Sequence, residues 1–401
     1  MQVNDLSKTR ICPEFAQSAL FSPPRGAEHT AKEICQQPAL WRTLCQQFLS
    51  EKSRLDGFIS PLLAKENLRI LLVGAGTSAY IGEALAATLA RHLPLASQSV
   101  EAVATTDLVS HPHLYLRSGS PTLLVSYGRS GNSPESMGAI AVCDALVPEC
   151  FHLLLTCNPN GQMADYGRAQ AEHACLWLMP AGSHDKSFAM TSSFSCMYLA
   201  TLLLFTDSGS EKNGSLTRAA AMAEGIVEGH LDKLYQLASL DLSRWVYLGA
   251  GPLKGVAREA ALKLLELSAG KVMGVFESPL GFRHGPKSLV DVDTAVVLLA
   301  SSEPYARAFD EDMADELIRD GACARVQLLK EEDFCSDGEA RLDEVWLTLP
   351  FILYCQLLAY FKALQLGISP DNPCPGGQVN RVVQGVTLHP LSLYRKPLAG
   401  D

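Results

Sequence analysis

The chain has 401 residues, enough for two domains of ordinary size, and its 47% apolar and 19% charged residues describe a packed globular protein rather than a disordered one. A formal net charge of −10 argues against a nucleic-acid surface, which needs clustered Lys and Arg to release counterions, and points to a small-molecule partner. Twelve cysteines scattered singly from Cys12 to Cys374, with no C-x-x-C pair, fit a reducing cytoplasm in which thiols are small buried hydrophobes, and the amino terminus shows no signal-peptide pattern.

Residues 1–67 read as a helical arm with no strand of its own, and Thr30-x-x-Glu33 offers a capping box just ahead of Ile34. From Leu68 the pattern changes. "LRILLVGAG" is a short apolar run ending in glycines, and "TSAYIGEALAATLARHL" then has helical periodicity. "QSVEAVATT", "TLLVSYG", "FHLLLTCN" and "ACLWLMPAG" are further strand candidates with helix-like segments between several of them, so residues 68–215 are expected to form an α/β unit around a mainly parallel sheet. A second unit, 216–401, repeats this layout. "RWVYLGAGPLKGVAREAALKLLEL" carries Gly249-Ala250-Gly251 175 residues after Gly74-Ala75-Gly76, and "TAVVLLASS" at 294–302 takes the part of "TLLVSYG". The most membrane-like stretch, Val345 to Leu366, contains Pro350, Gln356, Lys362 and Gln365, whose insertion in lipid is costly; a buried core or subunit-interface helix is expected instead.

In parallel sheets, ligands sit beyond the carboxyl ends of the strands. The loop Gly74-Ala75-Gly76-Thr77-Ser78-Ala79 satisfies G-x-G-x-x-A, but a dinucleotide site would want an acid at the end of the next strand, and Glu101 and Asp107 are poorly placed for that. A smaller anion held by helix-start N–H groups and the Thr77 and Ser78 hydroxyls is the alternative, with a plain strand-to-helix turn as the bland reading. The loop "SYGRSGNSPES" adds Ser130 and Ser133 between Gly128 and Glu135, and Thr191-Ser192-Ser193 stands ahead of another apolar helix. Three such loops together favour a phosphate cradle.

For proton transfer, "REAALKLLELSAGKV" sets Glu259, Lys263 and Glu266 on one helical face. A surface salt bridge accounts for the first two, leaving Glu266 in surplus. Glu277, His284 and Lys287 follow in a stretch read as a long loop; a carboxylate and a histidine are the usual tools for moving protons next to a carbonyl. His111-Pro112-His113 lacks a third ligand at standard spacing, so no metal is expected.

The "GAGTS" and "SGNS" loops, the "REAALKLLELSAGKV" helix and the "HGP" loop resemble the sugar isomerase (SIS) domain family, in particular the isomerase half of the glucosamine-fructose-6-phosphate aminotransferases. "KEICQQP" at 32–38 and "QLLAYFKALQLG" at 356–367 extend the resemblance over most of the chain, and "NRVVQGVTLHPL" at 380–391 is most similar to the AgaS-type galactosamine-6-phosphate deaminase/isomerase subfamily, also described as tagatose-6-phosphate ketose/aldose isomerase. The resemblance implies two tandem SIS domains, with a carboxyl-terminal tail closing the site. It implies that Thr77, Ser78, Ser130 and Ser133 bind the sugar phosphate and that Glu266 moves the proton between C2 and C1. It further implies that His284 assists ring opening, reaching a neighbouring subunit's site in a homodimer, with Glu259 and Lys263 in support. No cofactor is implied. The aminotransferase tail carries a lysine over the sugar; here Gln384 takes its position, and Arg381 is the candidate replacement for the charge. The start Met1-Gln2-Val3 offers no nucleophilic cysteine, and no glutaminase domain is present, so glutamine-driven amination is not expected. Deaminating isomerisation of galactosamine 6-phosphate is the leading expectation; plain aldose–ketose isomerisation and a non-catalytic phosphosugar sensor are the alternatives.

Overall fold

The computed structural model describes residues 13–206, 210–335 and 341–398; Met1-Gln2-Val3 and Cys12 lie outside them. Nine strands form two sheets. β1 (Arg69–Gly74), β2 (Ser99–Ala104), β3 (Thr122–Gly128), β4 (Cys150–Thr156) and β5 (Ala174–Leu178) lie in the order β2-β1-β3-β4-β5, all parallel. β6 (Arg244–Leu248), β7 (Met273–Glu277), β8 (Thr294–Leu299) and β9 (Arg325–Leu329) follow the same rule, β7-β6-β8-β9. β1, β3 and β8 are buried along their whole length, which is why they read as unbroken apolar runs.

The shared order carries the repeat down to single side chains. Arg69 opens β1 and reaches the Tyr115 carbonyl (2.6 Å) and Glu101; Arg244 opens β6 and reaches the Leu289 carbonyl (2.8 Å) and Asp291. Gly76 and Gly251, each the residue before a helix, share the backbone angles φ +55°, ψ −129° and φ +53°, ψ −132°, in a region where a side chain is strained. In both sheets the chain leaves the first strand for one neighbour and returns to the other. The crevice opens at this switch point, between the loops after β1 and β3 in the first unit.

Two strands depart from the sequence reading. β7 lies inside the stretch read as a loop, and β9 had no assigned strand; both are edge strands, half-buried over most of their length, and neither shows an unbroken apolar run. The capping box at Thr30 and Glu33 is also corrected. The helix already begins at Glu28, whose own carboxylate takes the N–H groups of Gly26 (2.6 Å) and Ala27 (3.1 Å). Thr30 instead bonds Asp371 through N and Oγ1, both at 2.7 Å, and pins the arm to the segment after the last long helix.

The arm's long helix, Gln37–Leu63, bonds Gln356 through Gln37 (2.7 Å) and Ser195 through Trp41 (2.9 Å). The helix Glu344–Gln365 is long and apolar enough to cross a membrane, but 94% of its most apolar window is buried inside the protein, with Lys362 Nζ donating to the Leu240 carbonyl at 2.7 Å. None of the eleven described cysteines forms a disulfide.

The two repeats meet through the helices Thr77–Ala90 and Pro252–Leu267. A Cβ at Gly255 would lie 2.6 Å from the Ala84 Cβ, so the backbones touch there. Gly255→Val should therefore lower the unfolding free energy by at least about 1–3 kcal/mol, read by urea denaturation. Gly57→Ala, in the arm helix where a Cβ meets nothing within 4 Å, should hold or raise it. An unchanged midpoint for Gly255→Val would contradict this packing.

Candidate active site

The helix Pro252–Leu267 runs antiparallel to Thr77–Ala90. Gly255 meets Ala84, Arg258 ion-pairs with Glu83 at 2.5 Å and stacks on Tyr80 with its guanidinium 4.4 Å from the ring centre, and Glu259 comes beside Thr77. Its last turn, with Lys263 and Glu266, therefore extends past the amino-terminal end of the other helix, over the loop that follows β1. This is how groups from the second unit reach a crevice built by the first.

The expected surface salt bridge between Glu259 and Lys263 is corrected here, since both side chains are fully buried. Lys263 Nζ stands 3.4 Å from Glu259 and bonds Glu266 more closely. Burial pushes the Glu259 carboxyl up to about 8, with Lys263 opposing and Glu266 adding to the rise. Neither of its oxygens has a well-formed hydrogen bond, although Thr77 lies alongside. Burial works against the Lys263 ammonium too, but the two carboxylates outweigh it and hold its pKa above the ordinary value. Glu266 is only partly buried, and its charge acts on Arg129 of the crevice wall.

The crevice is lined by Ala75, Ser78, Ser130, Ser133, Met190 and Arg381, among others. Thr77 and Ser78 start their helix directly after Gly76, and the Ser78 Oγ stands 3.7 Å from the Met190 sulfur. Ser130 Oγ accepts from the Asn132 N–H (3.3 Å), Ser133 Oγ donates to Glu135 (3.1 Å), and Asn158 holds the loop through the Ser130 carbonyl (2.8 Å). That carbonyl lies 2.5 Å from where a Cβ on Gly161 would sit, so the loop's position depends on a glycine in a neighbouring segment. Ser78, Ser130, Ser133 and Arg381 thus line one crevice; Thr77 starts the helix beside Ser78, and Glu259, Lys263 and Glu266 follow one another along the helix packed against it. Gln384 is exposed on the tail, and His284 is exposed after the short helix Pro279–Phe282. Glu277 is engaged with Lys254 (2.6 Å), and Lys287 with Glu316 and Asp320.

The third loop, Thr191-Ser192-Ser193, is not an anion cradle for a ligand. Asp185 already fills it, accepting the N–H groups of Thr191 (2.8 Å), Ser192 (3.0 Å) and Ser193 (2.9 Å) and the hydroxyls of Thr191 and Ser193. The second unit's equivalent of "GAGTS" is likewise altered. Pro252 has no N–H to offer, and Glu344 lies 3.5 Å from the Cβ position of Gly251 while accepting from Ser301.

Arg129, without a role in the sequence reading, completes the wall together with Arg381. Arg129, almost wholly buried, donates to the carbonyls of Phe188 (2.8 Å), Ser187 (3.3 Å) and Arg381 (2.5 Å). Burial, then the nearby Arg381, push its pKa down to about 10. Arg381 donates in turn to the carbonyls of Asp185 and Ser187. The other side of that loop is braced by Glu33, which accepts the N–H groups of Lys186 (2.5 Å) and Ser187; burial and the neighbouring Asp185 raise Glu33 to about 7. Glu101 is taken by Arg69, leaving no acid for a ribose at the end of β2.

A carboxyl whose pKa is higher folded than unfolded gives a stability that falls as pH rises between the two values. For Glu259 that window runs from 4.5 to about 8. Replacing it by Gln should flatten the decline in urea-denaturation stability across the window; a slope equal to wild type would show that Glu259 is not held protonated.

A model of the SIS domain matches residues 62–207. A D-galactosamine-6-phosphate deaminase AgaS from Shewanella sp. (strain ANA-3) is 55% identical over 366 residues, covering 91% of this chain and 93% of the relative. The protein of the same name from Escherichia coli is 42% identical over 90% of this chain and 95% of its own. Among solved structures, the tagatose-6-phosphate ketose/aldose isomerase from Escherichia coli superposes with a TM-score of 0.80 at 40% identity, covering 90% of this chain and 96% of that one.

Proposed function

From the premise that the chain belongs to the galactosamine-6-phosphate deaminase branch of the sugar isomerase (SIS) family, we propose how its crevice turns D-galactosamine 6-phosphate into D-tagatose 6-phosphate and ammonia. The phosphate lies on the loops after β1 and β3, held by Thr77, Ser78, Ser130 and Ser133 and by the N–H groups where the helices begin. Arg129 and Arg381 supply positive charge in the wall, Arg381 taking the part of the family's tail lysine. His284, from the neighbouring subunit of a homodimer, assists opening of the ring to the aldehyde.

Glu266 then removes the C2 proton, giving an enolamine, and returns a proton at C1. C1 becomes a CH2OH group and C2 an imine; water adds to C2 and ammonia leaves, which balances the conversion. One carboxylate serves both transfers because the carbons are adjacent, and fixing the phosphate lowers the entropic part of the barrier. The observation that supports this reading is the ion pair between the buried Lys263 and the part-exposed Glu266, whose charge also acts on Arg129 of the crevice wall. Lys263 fixes the carboxylate's direction, and Glu259 beneath it adds a proton-bearing group without a second negative charge. Eleven described cysteines without a disulfide support a cytoplasmic setting.

Glu266→Gln should reduce ammonia release from galactosamine 6-phosphate on the order of 10²–10⁴-fold with little change in KM, whereas Ser133→Ala should act mainly on KM. Full turnover by Glu266→Gln would sink the mechanism. The role across subunits has its own test: Glu266→Gln and His284→Ala chains, each inactive alone, should regain about a quarter of wild-type turnover when mixed at random as dimers, because one site of each hybrid is intact. No recovery on mixing would place His284 in its own chain's site or outside catalysis.

A further inference from the structure

At the opposite end of the first sheet from the crevice, a second group of side chains converges where β4 starts and the helix Pro134–Leu146 ends. The His152 Nε2 lies 2.8 Å from an Asp144 carboxylate oxygen and 3.5 Å from the Cys150 sulfur, and the three atoms all lie within 4.8 Å of one another. We propose that Asp144, Cys150 and His152 form a binding site for one zinc ion, with water completing the tetrahedron on the solvent side.

An Asp–His hydrogen bond alone explains the carboxylate. It does not explain the thiol, because one N–H points in one direction and two groups here converge on the same nitrogen. Tetrahedral zinc with Zn–N near 2.0 Å and Zn–S near 2.3 Å sets N and S about 3.5 Å apart, which is the separation found between His152 and Cys150. The carboxylate would need to withdraw by about 0.5 Å to reach the N–O edge of that tetrahedron. Asp144 can do so, because its side chain is 40% exposed whereas that of His152 is fully buried.

The carboxylate and the thiol each have a further neighbour, while the His152 Nδ1 is buried without a hydrogen-bond partner. Tyr166 OH donates to the second Asp144 oxygen at 2.8 Å, and the Tyr166 ring stands edge-on to the imidazole at 5.4 Å. The Cys143 and Cys150 side chains share a hydrogen bond. Such contacts orient ligands and strengthen binding. Nitrogen, thiolate and carboxylate donors together favour zinc over calcium or magnesium, which take oxygen. Its β4 ligands lie four and six residues from Thr156, roughly 13–20 Å at 3.3 Å per residue, so the site is separate from the sugar crevice. Its effect would be to tie the end of the helix that starts at Ser133 to the strand beside it.

The test titrates chelator-stripped full-length protein with zinc against a chromophoric chelator. One zinc per chain is expected, weakened at least about 100-fold in Cys150→Ser and in Asp144→Asn. Cobalt in place of zinc should give a thiolate-to-metal charge-transfer band in wild type that Cys150→Ser lacks. Both variants should match stripped wild type in thermal unfolding and in sugar turnover, which separates ligand loss from misfolding. Substoichiometric binding by wild type, or variants that bind as tightly, would overturn the proposal, as would a cobalt spectrum without the thiolate band.

Discussion

The candidate active site depends on one buried ammonium. Lys263 has no exposed side-chain surface, and a lone charge there would be costly. What makes it tenable is that the helix supplies carboxylates at one turn before and just under one turn after it, at Glu259 and Glu266. The two are not equivalent. Glu259 is as deeply buried as the lysine and carries a raised pKa, while Glu266 keeps part of its side chain exposed. The lysine therefore lies between a fully buried carboxyl whose pKa is raised and a part-exposed one that it bonds directly. Truncating Lys263 would leave a buried carboxylate without compensation, so its loss would damage folding as well as turnover.

The placement of that charge comes from the contact between repeats. Because Gly255 lets its helix touch Ala84, the two helices lie close enough, and antiparallel, for the last turn of one to overhang the first turn of the other. Duplication alone would have produced two similar crevices. The second has diverged through Pro252 and Glu344, which remove an amide donor and add a negative group, and the first unit's own third loop is filled by Asp185. Serine-rich helix starts thus share one chemistry with different occupants.

Much of this was legible in the sequence, and the failures have physical causes. β1, β3, β6 and β8 occupy central positions in their sheets and read as apolar runs; β7 and β9 lie at edges, where side chains such as those of Arg325 and Gln327 can stay half-exposed and break the pattern. The spacing of Glu259, Lys263 and Glu266 gave one helical face correctly, but nothing in that spacing says whether the face meets water or another helix. Three serine-rich loops looked equivalent because the side chain that distinguishes one of them, Asp185, lies outside its quoted motif. Arg129 stood inside the loop under study, yet its partners are backbone carbonyls of distant segments, which leave no trace in sequence.

Those arginines explain how a chain of net charge −10 can receive a phosphorylated sugar. Arg129 and Arg381 donate to carbonyls, which orient a guanidinium without cancelling its charge. The lowered pKa of Arg129 reports the cost of that choice, burial beside a like charge. A phosphate dianion bound at the neighbouring loops would relieve that burial of like charges. The same charge lies on the tail and on the β3 loop, joined by the Arg129 bond to the Arg381 carbonyl. Substrate would then stabilise the tail's position over the crevice through electrostatics already built into the fold, rather than through contacts formed only after binding.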